Sequence, residues 1–578
     1  MAPIHRILSK PLNRPYRTKQ LDESNPPYLN ENGNVDFGPG DVENPQNWST
    51  IRRFTVTVTA VMLVLNATFA SSSPSGTLRS ISQEFGVSNV AAGLTITLFL
   101  LGYCAGPLFF APLSEFYGRR WVFYISFTLY NLFNLLCAFA PNFGGLLVGR
   151  FLTGTFVSAP LSNAPGVLVD LWDPVERGNA MAGFSTMVWI GPALGPVISG
   201  FLELKKDWQW SFYVLLMLGA FTELLLLTIP ETHGPTILIS KAKRIRKLQI
   251  PGYEDVKAPA EMHDRSLAAV YKVALTRPWI ILFDPISFLC AIYLAVVYTL
   301  LYMLFSIYPI VFQEKRGWNA GVGELPLIGT AVGACVGGLI VMYDTHRRTK
   351  KVEKGELKLE DMEPEDRLPL AMAGGIGFFI AMFWLAWSAE YNSVHWIVPT
   401  IGGGFLSTCM LLIFVAYLNY LVDVYLMYAA SAIAANTIAR SACGAAAPLF
   451  TNQMFSALGV GGGGSLIGGV GALLAVIPFL FYKYGKQIRM KSKFAPTPNK
   501  HDEKRMREDM NPTDYDMDDE ERAVQQPASA SDSVSGESVS SETVAVQEEH
   551  RPQVQKGGSD GGILNQMDTI KRDEKSVE

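Results

Sequence analysis

The chain has 578 residues, 49% hydrophobic and 17% charged, against about 25% charged for an ordinary soluble domain. The deficit is uneven: charge collects at the two ends and in two internal blocks, and the runs between are apolar and long enough to cross about 30 Å of hydrocarbon. These numbers exclude a typical soluble globular domain, while the net charge of −4 says little, because placement outweighs the total.

Residues 1–50 read as a polar, proline-rich, disordered cytosolic arm, with no pattern of a removable leader. The arm ends in Asn44-Pro-Gln-Asn-Trp-Ser49, where Trp48 is expected at the membrane interface ahead of Arg52 and Arg53. Twelve apolar runs follow. Six lie in residues 51–230, near 53–75, 89–113, 121–140, 143–169, 179–202 and 210–229. Six more lie in residues 278–486, near 278–312, 321–343, 369–389, 395–420, 424–455 and 465–484. A charged connector, 231–277, separates the halves, and a Ser-, Glu- and Asp-rich tail, 487–578, is expected to be disordered and cytosolic. The expected fold is therefore an all-α integral membrane protein. Lysine and arginine concentrate in the loops of one side, including Arg119, Arg120, Arg177, the connector and Arg347 through Arg367. The positive-inside rule puts that side, and both termini, in the cytosol.

Three stretches carry candidate mechanics. The fifth run contains Gly191-Pro-Ala-Leu-Gly-Pro196, then Gly200. Gly191, Gly195 and Gly200 offer one smooth face with kinks at Pro192 and Pro196, which suits either a joint between two halves or mere close helix packing. Between the second and third runs, Glu115 sits at a helix end, Gly118 turns the chain, and Arg119 and Arg120 follow. A carboxylate and paired arginines across a tight turn can latch one conformation or simply mark topology. Arg150 in the fourth run and Arg440 in the eleventh are mid-helix arginines. Each costs about 2.5–3.5 kcal/mol on insertion scales, so each faces the bundle interior or snorkels. Aromatic residues are abundant in the runs, and a pocket for flat apolar molecules would use such side chains with a few polar groups. Trp189, Tyr298, Tyr302, Asn131 and Asn134 are the pocket candidates. The six cysteines all lie in apolar runs without metal-ligand spacing, so no metal site and no cofactor are expected. Gly459 through Gly464 reads as the turn between the last two runs, since no Lys-Ser/Thr follows it.

Ser114-Glu-Phe-Tyr-Gly-Arg-Arg120, Leu146 to Gly154 with Arg150, and Gly191-Pro-Ala-Leu-Gly-Pro196 resemble, in order, three signatures of the major facilitator superfamily. Asn44-Pro-Gln-Asn-Trp-Ser49, Pro230-Glu-Thr232, Asp423 through Phe450 and Tyr482-Lys-Tyr-Gly-Lys-Gln-Ile-Arg489 resemble its fungal twelve-span drug:proton antiporter branch. The likeness runs from about residue 44 to 496. Ala111, Thr153, Phe156 and Pro196 depart from the superfamily pattern, which bears on the details of latch and substrate choice. The resemblance implies twelve helices in two six-helix bundles, alternating access, and a monomer in the plasma membrane, with the vacuolar membrane as the alternative. It implies export of small hydrophobic or amphipathic toxicants in exchange for protons, without nucleic acid. A polyamine exporter and a nutrient symporter are the competing readings. Arg150 would then serve proton coupling, with Arg440 following the same logic. Within the runs the candidate proton carriers are Glu223 and Asp284. Glu223 can equally be a structural contact between helices, and Asp284, ahead of Pro285, can equally cap a helix.

Overall fold

The computed structural model describes residues 27–495 except 31, 174–176, 250–251, 263–265, 356–362, 491 and 493. The expected disorder of 1–26 and 496–578 lies outside the described residues. The helices are α1 Thr50–Ser72, α2 Leu78–Phe85, α3 Asn89–Tyr117, α4 Arg119–Ala138, α5 Phe143–Leu171, α6 Arg177–Glu203 and α7 Gln209–Leu226. The connector forms α8 Gly234–Leu248. Then come α9 Leu267–Leu282, α10 Pro285–Tyr308, α11 Ala320–Glu324, α12 Leu327–Glu353, α13 Leu368–Glu390, α14 Ile397–Tyr425, α15 Ala429–Leu474 and α16 Val476–Arg489.

Ten helical stretches among the described residues are long and apolar enough to cross a membrane. One of them, Ala429–Arg489, holds two crossings, because Gly459 (φ 71°, ψ 172°) breaks the helix. That left-handed φ is one that glycine adopts without steric cost. Only Gly459 departs from helical geometry, and the glycines after it begin the last crossing. The 29-residue α5 is diluted by Arg150, Asn163 and Asp170 and falls outside the ten, yet it packs inside the first bundle against α3 and α4. With α5, the crossings among the described residues number twelve.

Successive crossings alternate in direction, so Thr50 and Arg489 lie at one end, here the proximal end. The first bundle is α1 and α3–α7; the second is α10 and α12–α16. They meet along two seams, α3 on α15 and α6 on α12. Backbones approach closely there. Thr97 donates to the Ala445 carbonyl across the first seam at 2.8 Å. On the second seam a methyl at Gly338 would collide with Thr186, and one at Gly178 with Thr345.

Two local features differ from the sequence expectation. The seventh crossing is not one run from 278: α9 ends at Leu282 and α10 starts at Pro285. Asp284 is extended there (φ −65°, ψ 134°), as the residue before a proline prefers. Residues 27–49 are also not featureless. Val35 lies in a small second core with Leu238, Ala242 and Ile245 of α8 and with Val256 and Ala258. Asp41 and Glu43 pair with Lys241 and Arg244 at 2.6 and 2.7 Å. Two ion pairs and this apolar core thus fold the end of the arm onto the connector, and Trp48 is buried in the main core. Within the connector the Arg246 guanidinium makes two 2.9 Å bonds to Glu261 and holds its carboxyl below the usual carboxylate range.

Candidate functional site

The residues best placed to meet a transported molecule lie where both bundles contribute side chains. Arg440 of α15 is 5% exposed, and its guanidinium stands over the rings of Tyr298 (4.8 Å) and Phe414 (4.9 Å). Tyr298 and Tyr302, one helical turn apart on α10, lie edge to face with centroids 5.2 Å apart. The Tyr302 hydroxyl donates to Ser71 Oγ of α1 at 2.9 Å, crossing between the bundles. From the other side Trp189 of α6 meets the Phe414 ring edge-on at 5.8 Å. Arg440 Nε and Nη1 and Trp189 Nε1 are buried without a hydrogen-bond partner. Buried donors left open inside an aromatic cluster are what a ligand's acceptor atoms would satisfy.

Arg150 of α5 is fully buried. Its Nε donates to the Thr95 carbonyl of α3 and its Nη2 to the Ala70 carbonyl of α1, each at 2.9 Å. Its guanidinium lies 4.1 Å from the Phe99 ring centroid. The charge therefore rests on backbone dipoles and an aromatic face, drawing three helices together, and does not snorkel. Nη1 has no hydrogen-bond partner.

Glu223 lies elsewhere. On α7, it accepts from Thr128 at 2.8 Å and from Asn131 at 3.1 Å, both on α4. Asn134, also on α4, donates to the Phe212 carbonyl of α7. Asn131 and Asn134 thus sit with Glu223 between two helices of the first bundle, apart from Trp189, Tyr298 and Tyr302. Asp284 accepts from the Tyr425 hydroxyl and from Ser492 Oγ, and does not cap α10 through its side chain.

At the proximal end Arg119 pairs with Asp170 of α5 at 2.6 Å. The Arg119 and Arg120 amides donate to the two oxygens of Glu231 at 3.0 and 3.2 Å. Gly118 makes this possible: its φ is 92°, and a methyl there would meet Glu231 Oε2. Asp170 was not among the sequence candidates, and Glu231 appeared only within the exit of the sixth run. A carboxylate next to a helix N-terminus was the missed signal. Glu115 stands on the same α3 end.

The smooth face of α6 is divided in its use. Methyls at Gly191 and Gly195 would strike Thr68 and Ser72, inside the first bundle. Gly200 alone of the three faces the second bundle, where a methyl would lie 2.8 Å from the Ala320 carbonyl oxygen. Sequence reasoning also missed Glu324 of α11, 1% exposed at the distal end.

Two bundles of six crossings meeting around a buried polar-aromatic cluster define the architecture of a membrane transporter. The chain belongs to the Major Facilitator Superfamily, whose family model matches residues 58–448. It is 41% identical over 466 residues to the efflux pump FUBT of Fusarium oxysporum, covering 80% of this chain and 77% of that one. It is 36% identical over 490 residues to the Major facilitator superfamily multidrug transporter mdrA of Aspergillus fumigatus, covering 84% and 78%. Among solved structures, its fold is similar to the proton:xylose symporter XylE at 16% identity and a TM-score of 0.55, covering 76% of this chain and 96% of XylE.

Proposed function

We propose that the chain exports small hydrophobic or amphipathic toxic compounds, drugs or the cell's own secondary metabolites, by exchange for protons and alternating access. The observation that carries this reading is the aromatic cluster around Arg440, built from both bundles, so that rocking one bundle against the other must take the site apart on one side. Flat apolar rings supply affinity with little specificity, and the open Arg440 donors favour a molecule that carries an acceptor atom. Relatives named as efflux and multidrug pumps support the outward direction. A polyamine exporter fits less well, because a buried guanidinium at the site repels polycations.

The energetics are adequate. One proton crossing 100 mV and one pH unit supplies about 3.7 kcal/mol, enough for a gradient of a few hundred-fold for a neutral substrate. In this reading both termini are cytosolic, the protein is a plasma-membrane monomer, and the distal end faces outward. Arg150, Arg440, Glu223 and Asp284 are the candidates for proton coupling, while Glu115, Gly118, Arg119 and Arg120 form the latch. The test is a disruption strain challenged with a broad toxicant panel, re-expressing wild-type protein or Glu223→Gln. Hypersensitivity rescued by wild-type supports export, and an unchanged toxicant profile on disruption contradicts it. A Glu223→Gln variant whose efflux keeps its pH dependence removes Glu223 from the coupling set.

A further inference from the structure

At the distal end, α10 runs on into a π-helical stretch, Pro309–Lys315, and past the turn at Gly317 (φ 68°) the short α11 opens the eighth crossing. This segment belongs to the second bundle and presses on α6 of the first. The approach is close on both sides. Gly200 of α6 leaves room for Glu324 Cγ, and Gly321 of α11 leaves room for Phe201 and Leu204. Glu324 sits in this contact and is 1% exposed. Its Oε1 accepts from Gln313 Nε2 at 3.0 Å, and its Oε2 is buried without a partner.

Among the described residues, no cation pairs with it. The elements packed against α11 are α6, the π-helical stretch and the turn Ser73–Thr77. From α6 the nearby titratable group is Glu203, which accepts from Ser80 at 2.5 Å, with Lys205 and Lys206 following as exposed residues past the helix end. From the π-helical stretch come Glu314, which is exposed, and Lys315, which is engaged with Glu390 at 2.6 Å. Arg316, next in sequence, donates to the Val394 carbonyl at 2.8 Å. Ser73–Thr77 carries no titratable side chain. An ionised carboxylate enclosed this way, with one neutral donor, bears a large desolvation penalty. The neutral acid bears far less.

We infer that Glu324 is a proton-binding gate: closing the distal seam takes one proton from the distal medium onto its carboxylate, and opening the seam wets the group and returns it. The inference rests on the proton-exchange reading above. It gives that reading a place where acid on the outer side favours closure, which is the return half of an exchange cycle. The chemistry is one reversible O–H bond, formed on closing and broken on opening. Linkage then makes the closed-to-open ratio fall by about tenfold per pH unit above the ionisation range of the wetted group.

The test is hydrogen–deuterium exchange of the full chain in lipid nanodiscs without substrate, read on peptides covering residues 195–206 and 316–328. Rates are corrected for the intrinsic pH dependence of amide exchange. Wild-type protection should be strong in acid and fall as pH rises. Glu324→Gln, neutral at every pH, should hold the protection of the acid form throughout. A wild-type chain with flat protection, or a Glu324→Gln chain that follows the wild-type curve, overturns the gate. If Glu324→Gln does not fold, Glu324→Asp decides: a shifted midpoint supports the gate and an unmoved one overturns it. Vesicle extrusion that survives collapse of the proton gradient breaks the exchange reading alone, and the exchange pattern still decides the gate.

Discussion

The two ends of the molecule differ in how a buried carboxylate is met. At the proximal end, charge meets charge at loops and helix termini: Arg119 with Asp170, the α4 amides with Glu231, and, in the second bundle, Arg367 with Asp423 at 2.9 Å. At the distal end the bundles meet through glycine-thin contacts around one buried carboxylate, Glu324, without an ionic partner. Each of the proximal pairs lies within one bundle, so it fixes a loop or helix end inside that bundle. A buried lone acid cannot be wetted without changing its proton affinity. On the gate proposed above, the distal mouth answers to pH through Glu324, while the proximal carboxylates Asp170 and Glu231 are already met by Arg119 and by the α4 amides.

The largest effect expected on this comparison comes from Arg150. Arg150→Ala removes the donors to Thr95 and Ala70 and leaves a cavity among α1, α3 and α5. Resistance should be abolished and the folded state weakened by about 2–5 kcal/mol, read as a lowered melting temperature in detergent. Arg150→Lys, with its compact ammonium, should recover more of the stability than of the transport. Wild-type resistance in Arg150→Ala would break the link between the distal half and function. Next comes Gly200→Val, which drives branched carbons at the Ala320 carbonyl and Glu324. Overpacking of about 1–3 kcal/mol should hold the distal seam apart and cut extrusion by roughly tenfold or more in correctly inserted protein. Unchanged extrusion would show that this contact does not govern closure.

Asp170→Asn at the proximal end should cost less, about 1–2 kcal/mol, because Arg119 keeps hydrogen bonding to the amide and the pair is partly solvated. Extrusion should fall a few-fold with its pH profile unmoved, and a moved profile would erase the distinction between the ends. The smallest effect is in the connector. Glu261 is held below the usual carboxylate range by Arg246, so its tie is complete above that range and is lost as pH falls through the lowered value. With the pair partly in water the contribution is under about 1 kcal/mol. Limited proteolysis of residues 246–262 should therefore accelerate only in acid, and Glu261→Gln should abolish that acceleration.

Much of this architecture is legible in the sequence. The apolar runs mark each crossing, Asp284-Pro285 carries the mark of a helix start, and the α4 turn is readable in Gly118 before two arginines. What the sequence hides is facing. The spacing of Gly191, Gly195 and Gly200 shows one smooth face, yet two of the three serve contacts inside the first bundle, because a helix turning 100° per residue borders more than one neighbour. Glu223 looks deep in an apolar run but bonds sideways to Thr128 and Asn131. Glu324 escapes notice for the opposite reason: it opens a glycine-rich apolar run beside a charged loop, where an exposed carboxylate is the ordinary expectation. Burial there comes from α6, more than a hundred residues away in sequence, and no local pattern reports it.

The central claim is that the fall of protons through two rocking bundles drives expulsion of the molecule held beside Arg440. Purified protein in sealed vesicles, loaded with a fluorescent amphipathic cation or neutral dye, tests it most directly when pH and voltage differences are imposed and then collapsed together. The account predicts transport against the dye gradient while the differences last and prompt cessation on collapse. Uphill transport that continues after both are gone would contradict it.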